Sequence, residues 1–203
     1  MPPESHAPTP ETGSGEGDRK VLAALRAELL SRADADQAVR HEAAARWPAG
    51  TPVDATDPLY VRWQLVDRDN TAWLTRVVDE HGWPTVSQVG ADGAHAAWLL
   101  AQHADHDPAF QQRCLTLMTA EVARQEASAT DLAYLVDRYR CHTGQPQLFG
   151  TQHRRDDTTG AYVPFPLAEP DTVDVWRFTA GLGPLSEATA AINHAESQPR
   201  DAA

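Results

Sequence analysis

The stretch Asp92-GAHAAWLLAQHADHD-Pro108 decides the fold. From Gly93 to Ala104 no side chain carries a permanent charge, and apolar residues fall on every side of a helical projection. A helix of that kind is expected to lie buried on all faces. It nevertheless carries His95, Gln102 and His103. At about 100° per residue His95 and Gln102 nearly eclipse one another, and His103 lies roughly 80° away. Three polar groups therefore share one arc. A buried polar group without a partner costs ~1–3 kcal/mol, so this arc should face other polar groups. The competing reading is that they bond to the main chain and only fix the packing.

Working outward, Asp107-Pro108 and Asp57-Pro58 both read as helix starts, with Asp as N-cap and Pro in the first turn. The first opens a helix from Ala109 to about Gln125, and the second a run from Leu59 to Val66. Asp67 to Asn70 is a candidate interruption there, with Thr71 capping a further segment to Glu80. Gly82 and Pro84 stop it. Ser128 to Asp131 resembles a capping box before a helix carrying Leu132, Leu135, Val136 and Tyr139, which Gly144 ends. Upstream, Val21, Leu22, Leu25, Leu29 and Leu30 mark a helix over Arg19 to Trp47, stopped by Pro48, Gly50 and Pro52. Its later part, Asp34 to Ala45, is more polar and reads as a second helix or a solvated extension. Gln147 to His153 and Ala161 to Phe165 suggest a hairpin, with Pro164 and Pro166 confining its second run to a sheet edge. Val173 to Ala180 and a short segment from Leu185 are helical. The expected architecture is all-α, a mostly helical bundle, with one small β-hairpin near the C-terminal third. Residues 19–195 form the single domain, between tails 1–18 and 196–203 too poor in apolar surface to order.

Composition excludes several classes. The 203 residues are 41% hydrophobic and 23% charged, ordinary for a globular chain. A net charge of −12 without a basic stripe argues against nucleic-acid binding. No apolar run approaches the ~20 residues of a membrane span. The N-terminus lacks the apolar core of a signal peptide, so the cytoplasm is the expected compartment. Cys114 and Cys141 show no CxxC spacing and read as reduced thiols.

Four motifs carry polar chemistry. Besides the central helix, Glu80-His81-Gly82-Trp83-Pro84 is a tight turn that presents His81 or Trp83, or is simply a helix cap. Tyr134, Asp137 and Cys141 share a stripe on the helix Asp131 to His142; Asp137 there needs a partner, and an ion pair with a distant Arg is the plain reading. In Gln147-Leu-Phe-Gly-Thr-Gln152-His153, alternate residues would share a strand face, and Gly150 would admit close approach of a backbone or ligand. No bound metal or cofactor is expected. His95 and His103 are eight apart, there is no HExxH, and Asp107 is better explained as a cap. A nucleophile elbow and a phosphate loop are both absent; Gly181-Leu-Gly183-Pro184 lacks the spacing and the lysine.

Taken in order, His81-Gly-Trp-Pro84, Gln102-His-Ala-Asp105, Ala133-Tyr-Leu-Val-Asp-Arg138 and Gln147-Leu-Phe-Gly-Thr-Gln152 resemble a bacterial family of uncharacterised proteins, a domain of unknown function. The resemblance spans about Asp57 to Pro184 and leaves the N-terminal helix outside. It implies that these segments share one site or one core, and it supplies no reaction.

Two functions of different class follow. The first is a small-molecule or peptide-binding protein, or a tailoring enzyme. His103, Asp137 and His81 would be catalytic, and Gln102, Trp83, Gln147, Gln152, Asp105 and His95 would bind a small polar or peptide-like ligand. His103 would transfer the proton, oriented by Asp105 or Asp137, because imidazole titrates near neutral pH. The second is a non-catalytic interaction module in which the polar set is structural and aromatics such as Trp63 or Trp73 meet a protein partner.

Overall fold

A computed structural model describes residues 14–48 and 51–197. Among them are seven α-helices: α1 (Ser14–Arg46), α2 (Pro58–His81), α3 (Val86–Gln102), α4 (Pro108–Ala123), α5 (Ala129–His142), α6 (Val173–Thr179) and α7 (Leu185–Ser197). One antiparallel hairpin joins β1 (His153–Arg155) to β2 (Tyr162–Pro164). The architecture is thus all-α with a small hairpin in the C-terminal third. The expected tails, over 1–13 and 198–203, and the expected helix stop at Gly50 lie outside the described residues.

Local capping sets the helix starts. Asp57 accepts a hydrogen bond from the Leu59 N–H at 2.9 Å, Asp107 from that of Phe110 at 3.0 Å, and the Ser128 hydroxyl from that of Asp131 at 3.1 Å. Three elements differ from the sequence reading. α1 is one helix of 33 residues that starts at Ser14, inside the stretch read as a tail. α2 runs unbroken through 67–70, because Asp67 and Asn70 are held from α1: Arg40 donates to Asp67 at 2.6 Å and Arg32 to Asn70 at 3.0 Å. The Thr71 hydroxyl donates back to the Asp67 carbonyl at 2.8 Å and caps nothing. At the other end of the chain, α7 extends through Glu196 and Ser197.

α3 lies at the centre and packs on α1, α2, α4 and α5. Gly93, Ala94, Ala97 and Ala101 are small enough to let neighbouring helices approach. Leu29 of α1, Leu74 and Val78 of α2, Leu100 of α3, Met118 of α4 and Leu135 of α5 interlock into one core. A smaller cluster of Val39, Ala43 and Leu59 is backed by Trp47 and Trp63. The expectation that the central helix is buried on all faces is corrected: the His95 side chain is 57% exposed. Among the described residues no helix is long and apolar enough to cross a membrane. Cys114 and Cys141 are free thiols, and burial pushes Cys114 up to about 12.

Candidate functional site

His103 caps the C-terminal end of α3. Its Nδ1 lies 2.8 and 3.0 Å from the two carboxylate oxygens of Asp36 on α1. Asp36 is 0% exposed, so this is a charge inside the protein, and such a charge persists only when it is paired. Arg40, one turn further along α1, supplies that pairing at 3.1 Å and reaches Asp67 on α2 at 2.6 Å. Its guanidinium lies over the Trp63 ring, 4.9 Å from the centroid.

The electrostatics of this cluster divide its members. Burial, with Arg40 and Arg138 nearby, holds the His103 imidazole below its ordinary value against the pull of Asp36. Burial would raise Asp36, but the hydrogen bond to His103 and the charges of His103 and Arg40 outweigh it, and its carboxyl sits below the usual range. Asp67 goes the other way, to about 6: its desolvation and the nearby Asp36 and Asp105 charges exceed what Arg40 returns. Near neutral pH the dyad is therefore an ionised Asp36 beside a neutral His103. A carboxylate on Nδ1 selects the tautomer whose proton is on that nitrogen and whose Nε2 lone pair is free.

Asp105 lies in the turn after His103. Arg138 of α5 grips it with two guanidinium nitrogens, one at 2.9 Å, and the His142 Nδ1 stands 3.4 Å away. Although burial opposes it, the Arg138 bond and charge hold the Asp105 carboxyl below the usual range. Gln111, 0% exposed, donates to the carbonyls of Ala101 and Gln102 and to Asp105, each at 3.3 Å. The side-chain oxygens of Gln102 and Gln111 are buried and unpartnered. The expected pair of His103 with Asp105 or Asp137 is thus corrected: the orienting carboxylate is Asp36.

Asp137, Gln147 and Gln152 form a separate, self-satisfied knot. The 0% exposed Asp137 accepts from the main-chain N–H groups of Leu148, Phe149 and Thr151 at 2.7–3.1 Å and from the Thr151 hydroxyl at 3.0 Å. The Gln147 amide donates to the carbonyls of Gln152 and Phe165 and accepts from the Gln152 N–H. The Gln152 side chain itself donates to the Thr151 hydroxyl. This corrects the strand expected over 147–153: Asp137 gathers N–H groups that a ladder would need, so the segment curls into a loop, and β1 begins at His153. Gly150 sits at φ 67°, and a Cβ there would meet Leu185 at 2.7 Å, so the close neighbour is protein. The distant Arg expected to pair with Asp137 is replaced by main-chain donors.

The remaining nominees stand elsewhere. His81 is exposed at the end of α2, 3.7 Å from Glu80. Trp83 and His95 line a cavity between α3, α4 and α5, with Asp131 2.9 Å from the His95 Nδ1. Trp63 and Trp73 are half-buried, with Arg40 and Arg32 stacked over their rings, and Trp63 lines a shallow groove with Trp47 and Val53. Exposed aromatics sit instead on α6, where Phe178 is 84% and Trp176 42% exposed. Among the described residues, no three His, Cys, Asp or Glu side chains are grouped to hold a metal ion.

Sequence reasoning missed Asp36, Arg40 and Asp67. The signal was present for Asp36: Leu29, Asp36 and Ala43 are spaced by seven, so the carboxylate lies on the buried stripe of α1.

The profile of a family of unknown function, DUF6624, matches residues 23–197. It takes in most of α1, which the sequence resemblance had left outside. No curated relative and no solved structure matches the chain.

Proposed function

The chain belongs to this family of unknown function, which brings no reaction with it, and from the geometry of the His103 cluster we propose that the protein binds a small polar ligand there, with His103 as its proton acceptor. One observation carries the reading: His103 Nδ1 is 2.8 Å from a fully buried carboxylate that Arg40 holds in place. That arrangement orients the ring, fixes its tautomer and leaves Nε2 unprotonated at neutral pH, which are requirements of a general base. The His103 side chain is 15% exposed, so the ring is shielded from most bulk water without being sealed. Arg138, immobilised by Asp105, offers its remaining nitrogen to an anionic or carbonyl oxygen. A carboxylate or amide-bearing metabolite suits these groups.

The α6 aromatics favour a second reading, a non-catalytic interaction module in which the Asp36–His103 pair only ties α1 to α3. Native mass spectrometry of the protein as purified, compared with His103→Gln and Asp36→Asn, separates the two. The first reading expects a co-purifying small molecule that both variants lose while their far-ultraviolet dichroism stays unchanged. A ligand retained by both variants, or none in any sample together with an unreactive His103 toward diethylpyrocarbonate, would overturn it in favour of the second.

A further inference from the structure

The cavity at Trp83 shares no lining residue with the His103 cluster. It measures about 160 Å³ and is enclosed by Trp83, Ala91, Ala94, His95, Met118 and Asp131, among others. Local structure makes it. Gly90, at φ 76°, breaks α3 after its first turn, and the helix resumes with the small Ala91 and Ala94 where a larger side chain would fill the space. The turn before α5 is tied across to the start of α3: the Val86 N–H donates to the Glu126 carbonyl at 3.0 Å and the Ser87 N–H to its carboxylate at 2.8 Å. Glu126 thus ties the two walls together through its carbonyl and its carboxylate.

Two features define what this space can hold. Trp83 is 3% exposed, yet its indole N–H is sealed from solvent without an acceptor. Its ring walls the chamber, and its N–H, sealed like those of Trp63 and Trp98, is not available to an occupant. At the outer side, Asp131 is only 13% exposed and its carboxyl is raised by burial in spite of His95. A donor that approached it would be bound in a partly desolvated setting. Inward of Asp131 and His95 the lining is mostly apolar, and the Met118 thioether is a good neighbour for a ring face or edge. Its volume is close to the ~150 Å³ that admits a benzene ring.

We propose that this cavity binds a small amphipathic aromatic molecule: the ring fills the apolar chamber against Trp83 and Met118, and a hydroxyl or amine meets Asp131 and His95 at the mouth. The site stands independently of the proton-acceptor reading of His103.

The test is a titration of the ¹⁵N-labelled full chain with benzyl alcohol and with toluene, following the six indole N–H signals, that of Trp83 being assigned with Trp83→Phe. Benzyl alcohol should saturate and move the Trp83 signal, and toluene should bind at least tenfold more weakly. Ala91 is exposed at the cavity wall, so Ala91→Leu should fold normally and block entry, weakening benzyl alcohol at least tenfold. Asp131→Asn should reduce the preference for benzyl alcohol over toluene. A Trp83 signal unmoved by either probe, equal affinity for both, or unchanged binding in Ala91→Leu would overturn the proposal.

Discussion

At the residue scale, the α1–α2 contact pairs carboxylates with opposite habits. Asp67 has a folded pKa of about 6 against an ordinary 3.8, so the native state holds its proton more tightly than the unfolded chain. Its contribution is fully present below about pH 4 and is lost as pH rises through about 6. Asp67→Asn removes this dependence. Relative to wild type, the variant should gain ~2–3 kcal/mol between about pH 4 and pH 8, at ~1.36 kcal/mol for each tenfold difference in proton affinity between the folded and unfolded chain. Urea unfolding at the two pH values measures it, and parallel curves would refute it. His103 behaves oppositely to Asp67: its depressed pKa contributes stability that is present above its unfolded value and lost as pH falls below it. Asp137 makes a sharper case. Asp137→Ala leaves the N–H groups of Leu148, Phe149 and Thr151 without their acceptor. At ~1–3 kcal/mol for each buried orphan, the loss should reach at least ~3 kcal/mol. Limited proteolysis should then cut within 147–152, and a resistant loop would show that other acceptors had taken over.

At the scale of elements, the kink in α3 follows from a backbone that only glycine tolerates. Gly90 combines φ 76° with ψ 165°, and a Cβ there would lie 2.9 Å from an Asp92 carboxylate oxygen that bonds Arg26. Gly90→Ala should cost ~1–3 kcal/mol and lower the melting temperature. An unchanged melting curve would mean that the helix straightens without penalty. Such local devices are what a sequence displays well. Asp57, Asp107 and Ser128 act within three residues of themselves, so the starts of α2, α4 and α5 are legible from neighbours alone. Asp36 demanded more, because Asp34 to Ala45 looks polar in composition and its burial emerges only when the stripe through Leu29 and Ala43 is projected around the helix. The loop drawn in by Asp137 was illegible. Its bonds span 11 to 14 residues between a helix and a non-repeating segment, and no periodicity announces them. The pairing of His103 was hidden for the same reason, since 67 residues separate it from Asp36.

At the scale of the molecule, two kinds of cohesion divide the chain. The main core cluster draws its buried members from α1 to α5 and the turns between them, and none from the hairpin, α6 or α7. α7 has no buried residue at all. Beside the buried Val173 and Ala180, what fastens the C-terminal third is largely polar. Arg177, 3% exposed, donates to the carbonyls of Gly183 at 2.6 Å and Phe149 at 2.7 Å. Thr130 of α5 donates to the Ala180 carbonyl at 2.7 Å, and Asn193 pairs with the Tyr162 main chain in both directions. Each such bond is worth only ~0.5–1.5 kcal/mol net, whereas burying one large apolar side chain is worth ~1.5–3 kcal/mol. The segment from β1 to α7 should therefore open before the bundle does, as a unit of lower local stability. Native-state hydrogen exchange at low denaturant should show amides of β1, β2 and α7 exchanging through an opening several kcal/mol below the global one, with those of α3 exchanging only on global unfolding. Arg177→Ala should lower that opening energy further while leaving exchange in α3 unchanged. Equal protection of α3 and α7, or a loss in Arg177→Ala that spreads evenly over both, would mean that the polar anchors and the apolar core unfold as one.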